Sequence, residues 1–350
     1  MSYTALSYTW GNVISGQLLS SNEKILSEPG SLLKISLPKT ILDAIDLTQI
    51  LGLRYLWVDA LCIRQDDNND KKYQIKNMAN IYQGADLTII AAAGQDSNAG
   101  LPGLHPGSRS FSPKSVNLPL GSKERPALSL LETCKPYSTS WGAEFHADHD
   151  GVDISKWNSR AWTFQERLLS RRCLIFIREQ VYWVCDGGVF CEESSYEPPD
   201  LGYEKSSFDT NLRFELFRSS LSALNAKAID GLWSQMRSQD RFWFKYSQAV
   251  EEYTNRDMKC AGDIYDAFQA ICTAYGRLSG DDFVWGHPRS RFDLALLWKS
   301  RAPRFDLYRR VDLTTLPMTD IQKRVGVPSW SWMGWVGPVW FRVTDDVYET

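Results

Sequence analysis

Residues 54–67 read Arg-Tyr-Leu-Trp-Val-Asp-Ala-Leu-Cys-Ile-Arg-Gln-Asp-Asp. From Tyr55 to Ile63 the run is apolar except for Asp59, and Gly52 and a polar cluster bound it. Such a run predicts a strand buried on both faces, the kind found in parallel sheets covered by helices. Asp59 is the anomaly, because an unpaired buried carboxylate is costly. It either caps a loop or pairs an arginine, or it lies where the strand opens onto a cleft.

The segments on either side support a sheet of this kind. Tyr3 to Gly11 reads as a first strand, starting so near Met1 that the chain either begins abruptly or lacks a preceding segment. Residues 12–31 are polar and read as a loop, with room for a short hairpin. Pro38 suits the first turn of a helix, and Ile41, Ala44, Ile45 and Thr48 share one face of it. Gly52 stops that helix. Beyond the central run, Gln65 to Asp70 is a turn-rich cluster ending in Asp70, a candidate N-cap. A second helix follows, with Ile75, Met78, Ala79 and Tyr82 on one face and an end near Gly84. Leu87 to Ala93 is another buried strand. Strand, helix, strand, helix, strand with short connections predicts an α/β fold with right-handed crossovers.

Residues 94–157 are richer in Gly, Pro and Ser and predict a long excursion with two extra strands, Ser115–Leu118 and Ala127–Leu131. A short helix over 158–170 follows, capped by Asn158 or Ser159. Cys173–Ile177 and Val181–Cys185, separated by Arg178-Glu179-Gln180, predict an antiparallel hairpin. From Pro198 the pattern turns helical, over 211–236, 241–253 and 263–275. Leu294–Trp298 reads as a buried segment. The chain therefore divides into an α/β domain over 1–197 and a mainly helical region over 198–350 that packs on it.

Bulk properties exclude several function classes. A net charge of -3 with no basic stripe gives no electrostatic case for nucleic acid. No run of about 18 apolar residues predicts a membrane span, and there is no signal-peptide pattern. Seven cysteines without a CxxC fit reduced thiols in a cytoplasmic chain. His146, Asp148, His149 and Asp150 cluster in a polar stretch, but no metal site is expected from that ligand set. No GxGxxG, GxxxxGK[ST] or GxSxG occurs, so hydride transfer, P-loop chemistry and α/β-hydrolase catalysis have no support. The 14 Trp, 15 Tyr and 15 Phe require a large aromatic core or several aromatic-lined surfaces.

Three blocks carry a resemblance. Ala-Leu-Ser-Tyr-Thr-Trp-Gly at 5–11, Tyr-Leu-Trp-Val-Asp-Ala-Leu-Cys-Ile-Arg-Gln-Asp at 55–66 and Arg-Ala-Trp-Thr-Phe-Gln-Glu-Arg-Leu-Leu-Ser at 160–170 resemble the fungal heterokaryon incompatibility (HET) domain. Met78 to Ala85 follows the second block as in that family, and the resemblance runs from residue 3 to about 175. It implies a role in self/non-self recognition and regulated cell death. It also implies distant kinship with Toll/interleukin-receptor (TIR) domains, and hence a flavodoxin-like, mostly parallel sheet. Some TIR domains cleave NAD at the nicotinamide–ribose bond with a glutamate that follows a Trp on a helix. The position that matches is Glu166, four residues after Trp162.

On that implication Glu166 is the candidate catalytic residue, with NAD as substrate rather than cofactor. One carboxylate suffices for this bond: nicotinamide leaves a cationic pyridinium as a neutral molecule, so no acid is needed to protonate it, unlike ordinary glycosides. The candidate substrate-binding residues are Ser7, Tyr8, Trp10, Gly11, Asp59, Cys62, Gln65, Arg160, Trp162 and Gln165, drawn from strand ends and the third block. Each has a structural alternative. Glu166 is otherwise a helix-surface acid paired with Arg160, Arg167 or Arg171. The tryptophans are otherwise core, and Cys62 a buried inert thiol. Arg160 otherwise pairs Asp59 or Glu166, and Gln165 bonds the backbone. Self-association and an unidentified protein trigger are the expected partners. The rival reading is a non-catalytic module that signals by oligomerising.

Overall fold

The computed structural model describes residues 1–13, 15–109, 115–118, 128–131, 152, 154–185, 188–192, 238–258, 261–300, 307–310 and 327–341. Two compact units emerge, residues 1–157 with 170–213 and residues 158–169 with 214–350. The short helix of the third block thus clusters with the C-terminal part of the chain.

The first unit is built on a six-stranded mixed sheet. Its strands are β1 (Thr4–Tyr8), β2 (Leu56–Trp57), β3 (Leu87–Ala91), β6 (Cys173–Phe176), β7 (Val181–Cys185) and β8 (Gly188–Cys191), in the order β2-β1-β3-β6-β7-β8. β1 pairs parallel with β2 and β3, and β3 parallel with β6. β7 and β8 continue the sheet antiparallel. A separate antiparallel pair joins β4 (Ser115–Leu118) to β5 (Leu128–Leu131), as the sequence predicts to within a residue.

All five residues of β1, an inner strand between β2 and β3, are buried, as in a parallel sheet covered on both faces. Helix α1 (Lys39–Ile50) sends Ile41, Ala44 and Leu47 into a core with Leu6, Tyr8, Val58, Ile89 and Phe176. Thr4 on β1 and Thr48 on α1 share a buried hydroxyl bond of 2.8 Å, as Thr88 on β3 and Ser170 do at 2.6 Å. Most buried hydroxyls pair in this way.

The stretch from 55 to 63 corrects the sequence reading. Only Leu56 and Trp57 form a strand, at the sheet edge, and both are half-buried. The helical turn α2 (Asp59–Cys62) follows at once. The apolar run is consumed by a short strand and a turn that buries Val58, Ala60 and Ile63. Run length alone does not separate these from one long strand. Downstream, helix α3 (Asn68–Gly84) is capped by Asp67, three residues ahead of the expected Asp70, through bonds from the Asn69 and Asp70 amides. Tyr82 on α3 donates to the Leu6 carbonyl at 3.2 Å, tying that helix to β1.

The second unit contains α4 (Ala161–Leu169), α5 (Ser238–Thr254) and α6 (Ile264–Ser279). Three antiparallel strand pairs accompany them: β9 (Phe283–Val284) with β10 (His287–Pro288), β11 (Trp298–Ser300) with β14 (Val339–Phe341), and β12 (Tyr308–Arg309) with β13 (Trp335–Val336). Those pairs qualify the mainly helical expectation. The helix expected over 211–236 lies outside the described residues. Tyr246, Ala249, Val250 and Tyr253 on α5 and Ile264, Ala267, Phe268, Ile271 and Tyr275 on α6 are buried at helical spacing. Phe268 meets Trp332 edge-on at 5.0 Å and Tyr253 at 4.9 Å, so much of the aromatic content is core. Leu294–Trp298 is not the buried segment expected: Ala295 is buried, but Leu296 and Leu297 are exposed, because the chain leaves a single helical turn there for β11.

One turn stands out. Trp285 (φ 50°) and Gly286 (φ 81°) join β9 to β10, both left-handed as a two-residue hairpin turn requires. The Trp285 carbonyl accepts from Ser331, and the Gly286 carbonyl accepts from Tyr246 at 2.6 Å. A side chain at Gly286 would meet Met333.

Candidate functional site

The first two blocks meet at the end of β1. The Trp10 indole donates to Asp59 Oδ2 at 2.8 Å, and Asp59 Oδ1 accepts from the Ala60 amide at 2.7 Å. Asp59 thus serves the turn as an acid at the start of α2, a role its charge suits. Gln65 donates to the carbonyls of Asp59 and Ile63, which closes the turn. Ser7 Oγ accepts from the Trp157 indole at 2.7 Å, and Tyr8 is buried. Gly11 has φ 66°, and a Cβ there would lie 2.3 Å from that of Asp96. Only glycine fits this approach.

Ser7, Tyr8, Trp10, Gly11, Asp59, Cys62 and Gln65 therefore all belong to the first unit, and Trp10, Asp59 and Gln65 are joined in one bonded network. Cys62 differs from the buried residue expected. It is exposed, while its sulfur turns back to the Val58 amide at 3.5 Å. Desolvation of the thiol pushes its pKa up, the Val58 bond acts against this, and Asp59 adds to it. A thiol so raised is a poor nucleophile at neutral pH. Thr9, not singled out by the sequence, has a buried hydroxyl without a hydrogen-bond partner.

The second group lies on α4, in the other unit. Apart from half-buried Trp162, every residue of this helix is buried. Glu166 is 6% exposed and Gln165 1%, so Glu166 is not the surface acid of the structural alternative. Gln165 Nε2 makes no hydrogen bond, which differs from the backbone bond expected and costs on the order of 1–3 kcal/mol. The Trp162 indole donates to Asp263 Oδ2 at 3.3 Å. Burial raises the Asp263 pKa, the Trp162 bond lowers it and Asp266 raises it further. Trp10 and Trp162, from the first and third blocks, thus each have their N–H held by an aspartate.

Arg160 is half-buried and forms an isolated parallel bridge to Asp257 through its backbone. Arg256, Asp257 and Asp263 were not foreseen as neighbours of α4. Their separation of up to about a hundred residues leaves no local signal. Among the described residues no group of three or more His, Cys, Asp or Glu could hold a metal ion. Residues 146–150 lie outside the described residues. No helix among the described residues is long and apolar enough to cross a membrane.

Comparison with known proteins agrees with the blocks. The family described as "Heterokaryon incompatibility protein (HET)" matches residues 3–166. "Heterokaryon incompatibility protein 6, OR allele" of Neurospora crassa is 30% identical over 109 residues, covering 28% of this chain and 15% of that protein. The likeness to that relative is therefore to a small part of its length. No solved structure matches. The first two blocks and the start of the third lie within that match, and over residues 3–166 the chain is similar to the HET family.

Proposed function

We propose that this chain is a heterokaryon-incompatibility effector, acting in self/non-self recognition and regulated cell death by hydrolysing the nicotinamide–ribose bond of NAD. The observation that carries the catalytic part is on α4, where a carboxylate at 6% exposure sits beside an amide with no hydrogen-bond partner. Withdrawing a carboxylate from water is costly, so a buried acid is kept where it has a task. In this reading Glu166 faces the ribose, holds its hydroxyls and stabilises the positive charge that develops as nicotinamide departs. Gln165 Nε2 supplies a donor that the folded chain leaves unused. Trp162 offers a partly open ring face for stacking. The strand order β2-β1-β3 agrees with the flavodoxin-like sheet this reading entails. Self-association fits effectors whose sites are completed between subunits.

A second reading, a non-catalytic oligomerisation module, draws support from the other group of residues. Ser7, Asp59 and Gln65 all make bonds within the chain, which is what a scaffold would use them for. Nicotinamide release from NAD by the purified protein, over a range of concentrations, separates the two. Glu166→Ala and Glu166→Gln are each expected to lower release by about a hundredfold or more, as loss of a main transition-state stabiliser does. Folded, concentrated protein that releases none would leave the module reading.

A further inference from the structure

We infer that Arg256, which lies beyond the residues matched to the HET family, is the positioning residue of the helix that carries Glu166. The segment around it completes the third block. A nine-residue helix has little stability of its own, so something outside it must hold α4 in place. The matched residues end at 166. Several anchors at the start of α4 come from residues 256–263.

Arg256 is the centre of these anchors. One guanidinium nitrogen donates to the Asn158 carbonyl at 2.5 Å, to Thr163 Oγ1 at 3.3 Å and to the Arg160 carbonyl at 3.4 Å. The other donates to Asn158 Oδ1 at 2.8 Å. The planar group also lies 4.8 Å from the Phe164 ring centre. Asn158 Oδ1 also accepts from Arg167, the residue after Glu166, at 3.3 Å, so two arginines converge on one oxygen. Beside this fork the Asp257 amide donates to Ser159 at 2.5 Å, and the Asp257 carbonyl accepts from the Ala161 amide at 2.9 Å. That second bond satisfies one of the amides a helix start leaves open. Asp263 holds the Trp162 indole.

The geometry needs arginine specifically. Its rigid fork bridges a backbone carbonyl and a side-chain oxygen of one residue while its face stacks on a ring. A lysine has one nitrogen and no plane, so it can make part of the contact only. Arg256 acts on Glu166 through the helix and is not itself a catalytic residue.

The catalytic arm of the test rests on the reading above, and the structural arm does not. Amide hydrogen exchange on the full chain, wild type beside Arg256→Lys and Arg256→Ala, reads the positioning directly. Exchange over 161–169 is expected to accelerate on the order of 10- to 100-fold, the effect of losing charge-assisted bonds, while β1 and β3 amides keep their wild-type rates. Nicotinamide release is expected to fall through kcat with KM nearly unchanged, with Arg256→Lys intermediate. If the wild type releases no nicotinamide, the NAD reading fails while the exchange data still decide the role of Arg256. Unchanged protection over 161–169 in both variants would overturn the inference. So would equal acceleration throughout the chain, which would make Arg256 a general stabiliser.

Discussion

Acidification tests the second unit through one side chain. His287 is fully buried on β10, with Nδ1 3.4 Å from the Tyr246 hydroxyl and its ring against Phe292 and Trp330. Its Nε2 makes no hydrogen bond. Burial lowers its pKa from 6.5 to about 4, against a small opposing effect of the Trp330 backbone. Above pH 6.5 the imidazole is neutral folded or unfolded, and its contribution is present in full. Between pH 6.5 and 4 the unfolded chain binds a proton that the folded chain refuses, so stability falls as pH falls. The difference of 2.5 units corresponds to about 3.4 kcal/mol below pH 4, and to about 2 kcal/mol between pH 7.5 and pH 5. Urea denaturation at those two pH values, with His287→Phe beside the wild type, isolates the contribution. Phenylalanine keeps the aromatic contacts and cannot titrate. The wild type should lose about 2 kcal/mol more than the variant over that interval. Equal losses would refute the claim that a buried neutral His287 sets this pH dependence.

Two substitutions test the junction of the first two blocks. Trp10→Phe and Asp59→Asn should each destabilise the protein by about 1–2 kcal/mol. In urea denaturation the double variant should cost clearly less than their sum, because both remove the same indole–carboxylate bond; simple additivity would show that the bond contributes nothing. Gly11→Ala should cost about 2 kcal/mol or more, since its φ of 66° is unfavourable to a side chain and its Cβ would lie against Asp96. A thermal midpoint equal to wild type would count against that close approach.

Much of the sheet could be read from local pattern. β1, α1 and the β6–β7 hairpin lie where periodicity and turn residues put them, because each is specified by neighbours in sequence. The central run was misread for a physical reason. A half-buried edge strand and a buried helical turn look alike as composition, and the signal that separates them is the acid in the middle. Asp59 interrupts the apolar run because it begins a helix and receives an indole N–H. The setting of α4 could not be read at all. Arg256 and Asp263 are as ordinary in sequence as any surface arginine and aspartate, and only the fold brings them to Asn158 and Trp162.

The third block is best understood from what its burial costs. Gln165, Glu166 and Arg167 are consecutive, point in three directions around α4 and are each no more than 6% exposed. Successive residues on a helix are about 100° apart, so the helix buries polar side chains across a wide arc. A helix serving only to fill space would be more stable with leucine at such positions, which needs no partners. Here the Gln165 amide is left without a partner, and Arg256, Asp257 and Asp263 hold the start of the helix. Stability is given up at Gln165 and restored at the entry. That division is expected where side chains are held ready for a ligand, because such sites break local rules and are supported by their surroundings.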